Sequence, residues 1–75
     1  MQHWRLEAGD WVRLRYDDEI LQVLGVDRHW WCALVMTDTG PRVIHMDNLL
    51  LMEKGKPLDD EVKQYREALG GNFTN

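Results

Sequence analysis

From position 11 the chain alternates between apolar and polar parities. Val12, Leu14 and Tyr16 fall on one side, and Trp11, Arg13 and Arg15 on the other. A period of two puts successive side chains on opposite faces of an extended backbone, so residues 11–16 read as a half-buried β-strand. Gly9-Asp10 and Asp17-Asp18 flank it with turn chemistry. Residues 19–26 predict a second strand whose apolar side chains, Ile20, Leu21, Val23, Leu24 and Val26, occupy both parities. Gly25 within that run predicts a bulge, which bends a strand and changes which side points inward.

Residues 30–37 predict a third strand, apolar on both faces, and Asp38-Thr39-Gly40-Pro41 the hairpin turn after it. Residues 42–46 form the fourth strand, Asp47-Asn48 a short 3₁₀ turn and residues 49–53 a fifth strand, ended by Lys54-Gly55-Lys56-Pro57. The period then changes. Asp59 or Asp60 can cap a helix, with Val62, Tyr65, Ala68 and Leu69 along one side and Gly70-Gly71 as its stop. The pattern predicts a mainly β protein: a small five-stranded barrel over residues 1–57, closed or nearly so, a short C-terminal α-helix over 58–70 and a flexible tail over 71–75. An open five-stranded sheet with the helix across one face is the alternative.

Within this frame some residues are familiar. Gly9-Asp10-Trp11-Val12-Arg13-Leu14 resembles the G-D-x-V-x-L opening of bacterial SH3-like barrels, among them small proteins of enteric bacteria. Trp30-Trp31-Cys32-Ala33 is similar to the W-W-x-A of eukaryotic SH3 domains, and Asp47-Asn48-Leu49-Leu50 to the 3₁₀ turn and last strand of that fold. The resemblance spans about residues 9–53 and implies an SH3-like barrel. It does not extend to proline-rich ligands: the long first loop is reduced to Asp17-Asp18, and Met46 stands where the polyproline groove needs proline. Plasmid-type dihydrofolate reductases are built of similar barrels, but Arg42-Val43-Ile44-His45 shares only its Ile with their ligand-binding strand. No folate or cofactor site is carried over.

The totals narrow the function. At 75 residues the chain makes one domain with a thin stability margin, which a partner or a second copy commonly supplements. A lone Cys32 leaves no internal disulfide and points to a reducing, cytoplasmic setting. No apolar run is long enough to span a membrane. A formal net charge of −4 counts against a general phosphate-backbone binder. Four tryptophans are many for this length and make good contact anchors.

Candidate chemistry is sparse. Arg13 and Arg15 share a strand face with Trp11, and Arg28 and Arg42 can lie near by in a barrel; basic side chains among aromatics suit single-stranded nucleic acid. Against this stand Asp10, Asp17, Asp18 and Glu19 in the same region, and the plain alternative of a solvated strand face. Trp30 and Trp31 point to opposite faces. Either one is core and the other a surface contact, or one lies in the barrel and the other under the helix. His3, His29, His45 and Cys32 lack the spacing of a structural metal site. Cys32 among large apolar neighbours reads as a buried, inert thiol. The acidic runs at 17–19 and 59–61 are explained by a turn and a helix start, and no nucleophile–base set or phosphate loop is present.

The sequence therefore predicts a non-enzymatic, protein-binding module, a small accessory or regulatory protein of bacterial or phage type, with no cofactor or metal. Its partner-binding candidates are Trp11, Arg13, Arg15, Trp30 and Arg42. A nucleic-acid-binding barrel of KOW or Tudor style is the alternative. Homodimer formation is allowed in either case, through an exposed fifth-strand edge or the Leu49–Met52 run.

Overall fold

The computed structural model describes residues 6–55 together with Phe73 and Thr74. It is mainly β: strands β1 (Trp11–Leu14), β2 (Ile20–Asp27), β3 (Cys32–Thr37), β4 (Gly40–His45) and β5 (Leu49–Glu53), with a 3₁₀ turn at Met46–Asn48 before β5. All pairings are antiparallel, in one sheet of order β4-β3-β2-β1-β5. The predicted helix over 58–70 lies outside the described residues. Of the tail expected to be flexible, Thr74 pairs with Val26, each N–H donating to the other's carbonyl at 2.8 Å. Thr74 thereby serves main-chain groups of β2 beyond the point where β1 begins.

Among the described residues the sheet does not close into a barrel. Its hydrogen-bonded order begins at β4 and ends at β5. β4 and β5 are consecutive but joined by a single 3₁₀ turn, too tight for a hairpin, and β5 pairs with β1 instead. The β1–β5 register slips between Trp11 and Val12. Curvature still brings both edges to one core. Val12, Leu21, Val23, Val26, Ala33, Val35, Met46, Leu49 and the upstream Leu6 are buried together, with Ile44 of β4 and Leu51 of β5 packed against them.

The predicted bulge is present. Val23 pairs with Val35 and Gly25 with Leu34, leaving Leu24 as the extra residue. Leu24 and Leu34 are buried yet lie outside the main core cluster, so the β2–β3 pair is shielded on both faces. That accounts for apolar residues on both parities in these strands. The hairpin turn is also where the sequence put it, with Thr37 opposite Gly40 and Asp38-Thr39 between them. Gly40 supplies the positive φ of +116° that the return requires.

β1 ends earlier than its alternation implies. Arg15 and Tyr16 belong to a turn, and Tyr16, expected to face inward with Val12 and Leu14, is 90% exposed. Arg15 N–H donates to the Asn48 carbonyl at 3.0 Å, and Asp17 N–H to that of Leu14 at 3.3 Å, turning the chain away from the core.

Candidate functional site

The two adjacent tryptophans precede β3 instead of opening it. Residues 28–31 form a turn in which Trp31 takes the left-handed region, φ +57°, an uncommon conformation for a large non-glycine residue. Surrounding contacts fix it. The Asp27 carboxylate accepts from the N–H groups of His29 at 3.0 Å and Trp30 at 3.2 Å. Met46 N–H donates to the Trp31 carbonyl at 2.8 Å, and the Trp31 indole N–H to Asp47 Oδ1 at 3.2 Å. Trp31 is thus the inward member of the pair, packed on the core. Trp30 is 68% exposed, its ring edge-on to that of His29 at 5.2 Å.

The neighbouring 3₁₀ turn is held from several sides. Arg15 Nε donates to the Asp47 carbonyl, and Asp47 N–H donates to His45 Nδ1 at 3.2 Å. His45 is the N-cap of the turn, and its side chain accepts from the Asp47 N–H. The result is a firm sheet end that presents one large indole to solvent.

The remaining candidates do not gather there. Trp11, 38% exposed, and Arg13 lie on β1 on the parity opposite the buried Val12. Arg42 lies on β4 beside Val35, a core residue, and so belongs to the other face at the far side of the sheet. Between β1 and β4 lie about three strand spacings of ~4.8 Å. Three arginines serve main-chain carbonyls: Arg13 that of Leu14 at 3.2 Å, Arg15 that of Asp47 and Arg28 that of Leu6 at 2.8 Å. Guanidinium groups engaged in this way are partly taken up by the protein's own main chain.

Cys32 is half-buried, not buried, and its thiol donates to the Trp30 carbonyl at 3.3 Å. It stands opposite His45 across the ladder, and among the described residues no three potential metal ligands converge. Asp10 is displaced further from expectation. Read as a turn residue repelling phosphate, it is 1% exposed and paired with Lys54 at 2.8 Å. Asp27, Asp47 and His45, which organise the exposed indole, carry no sequence signal of that role beyond the turn preference of Asp. Comparison with protein-family models, with curated proteins and with solved structures finds no match.

Proposed function

We propose that this chain is a non-enzymatic, protein-binding module, a small accessory or regulatory protein of the bacterial or phage kind acting in the cytoplasm, and that it meets its partner through the sheet end centred on Trp30. The observation that carries this reading is an indole 68% exposed on a backbone fastened by the Asp27 carboxylate. An exposed Trp that is already ordered loses little further freedom on binding, and such residues supply much of the energy of protein interfaces. The strand order and the 3₁₀ turn between β4 and β5 support an SH3-like architecture, in open form. Of the candidate residues, Trp30 and Arg15 belong to this end: Trp30 as contact and Arg15 as the support of the Asp47 turn.

The test is affinity capture from native lysate, with bound proteins identified and titrated against purified variants. Trp30→Ala is expected to weaken the partner at least about tenfold, in line with a hot-spot Trp, while Trp11→Ala leaves affinity within about twofold. A partner that binds Trp30→Ala as tightly as the native chain overturns the assignment of the surface. Absence of any protein partner overturns the function.

A further inference from the structure

We infer that β4 is an interface for a second copy of this chain, the two β4 strands pairing antiparallel across a two-fold axis at Val43. The main-chain groups of β4 point alternately toward β3 and away from it. Met46 N–H bonds to the Trp31 carbonyl, and the β3–β4 register continues from Cys32 opposite His45 to Thr37 opposite Gly40. In an antiparallel ladder, residues that bond across alternate with residues that do not. Ile44, Arg42 and Gly40 therefore turn their main-chain groups to β3, as Met46 does its N–H. Pro41, Val43 and His45 turn theirs outward, where no strand follows among the described residues.

Those outward groups match themselves. Pro41 has no N–H and offers only its carbonyl. Its outward position is the one at which a missing donor costs the sheet no bond. Val43 offers both a donor and an acceptor. His45 caps the 3₁₀ turn, so its carbonyl serves the first bond of that turn and only its N–H remains. The series acceptor, donor with acceptor, donor is complementary to its own reverse. With Val43 opposite Val43 of a second copy, two bonds join the valines, and each His45 N–H meets the opposite Pro41 carbonyl. Every outward group is then satisfied. Side chains agree: Val43, 52% exposed, meets its own copy, and Arg42 falls opposite Ile44 with no like charge facing it. An unrelated strand would have to lack an acceptor opposite Pro41 and a donor opposite His45 to fit as fully. β4 has no bulge; it carries Pro41 and Arg42, residue types that commonly protect an edge, and the self-pairing accommodates both, because only the Pro41 carbonyl is needed and Arg42 bonds toward β3. The sequence points to the fifth strand as the self-pairing edge; β4 and β5 are the two outer strands of the sheet, and the self-complementary series of donors and acceptors lies on β4.

Sedimentation and light scattering of the full chain test this independently of any partner at Trp30. The native chain is expected to reach twice its 8.9 kDa mass as concentration rises. Val43→Pro, which removes an outward donor and no bond to β3, is expected to stay folded by circular dichroism and monomeric. Val43→Cys in a Cys32→Ser background is expected to form an intermolecular disulfide under mild oxidation. Its Cα atoms would lie about 5.5 Å apart, within disulfide reach. Arg42→Cys in the same background would cross-link far more slowly. A native chain that remains monomeric into the millimolar range overturns the inference, as does a folded Val43→Pro chain that still dimerises. If Val43→Pro fails to fold, the cysteine pair decides: no preference for Val43→Cys over Arg42→Cys overturns it. Protection of the Val43 and His45 amides only when a different protein is added assigns the edge to that protein and overturns it too.

Discussion

Asp10 and Gly55, 45 residues apart, are joined by a hydrogen bond of 3.1 Å from the Gly55 N–H to Asp10 Oδ1. The other carboxylate oxygen accepts from Glu7 N–H at 2.9 Å and from Lys54 Nζ at 2.8 Å. The Asp10 main chain joins β2, its carbonyl accepting from Val23 N–H at 2.8 Å, while Gly9 N–H donates to the Val23 carbonyl at 2.7 Å. One buried side chain thus ties the turn before β1 to the segment leaving β5. It fastens the sheet at the strand pair where the register slips.

Removing that carboxylate takes an acceptor from two main-chain donors and from the Lys54 ammonium, which keeps Glu7 at 3.8 Å. Asp10→Ala is expected to lower stability by about 3 kcal/mol, measured by urea unfolding at neutral pH. Lys54→Met should cost less, about 1 to 2 kcal/mol, because the half-exposed lysine gains part of its energy from water and both N–H bonds to Asp10 persist. Equal losses in the two variants would contradict the central place given to the carboxylate.

The same junction makes Gly55 intolerant of a side chain. A Cβ there would collide with the carbonyl of Gly9, a main-chain atom that no rotamer change can move aside. Gly55→Ala is expected to destabilise by about 2 to 3 kcal/mol. At Gly40 a Cβ meets nothing within 4 Å, and only the positive φ opposes it. Gly40→Ala is expected to cost about 1 kcal/mol. Thermal denaturation of the two variants checks the order.

Trp30 and Trp31 should separate in their effect on stability. Trp30→Ala is expected to stay within about 0.5 kcal/mol of the native chain, because its ring is mainly in water. Trp31→Ala removes core packing and the indole bond to Asp47, for an expected loss of about 3 kcal/mol. Denaturant titration followed by far-ultraviolet circular dichroism is independent of the tryptophan signal and decides between them.

Deleting residues 73–75 should act at one place. Without Thr74 the Val26 N–H loses its acceptor, so that amide is expected to exchange with solvent at least about tenfold faster, while Val12 and Val35 in the core keep their protection. Hydrogen exchange followed by NMR reads this directly. Unchanged protection at Val26 would mean that the bridge contributes nothing to local order.

Much of the strand pattern was legible because it is written locally. Alternation at Val12 and Leu14, the Gly25 bulge, the turn at Asp38-Thr39-Gly40 and the span of β5 each follow from neighbours a few residues apart. The site was less legible. Trp30 and Trp31 extend the apolar run of β3 without a break, and alternation assigns them to the strand. The turn exists because Asp27, Met46 and Asp47 bond to it, and nothing in the spacing of those residues announces that they meet. Arg13, Arg15, Arg28 and Arg42 form a cationic set in the sequence, but the sheet puts Arg13 and Arg42 on different faces, and Arg13, Arg15 and Arg28 each bond to a main-chain carbonyl.

By itself, then, the sequence determined the mainly β character, the five strands and their order along the chain, because side-chain periodicity and turn propensity act within a few residues. Tertiary structure decided that the sheet stays open among the described residues, that Asp10 is buried, that Trp30 and not Trp31 is the exposed member of the adjacent pair and that Pro41, Val43 and His45 face outward from β4. Each of these depends on which distant segments come together and on which donors and acceptors they leave for one another, and periodicity carries no record of that.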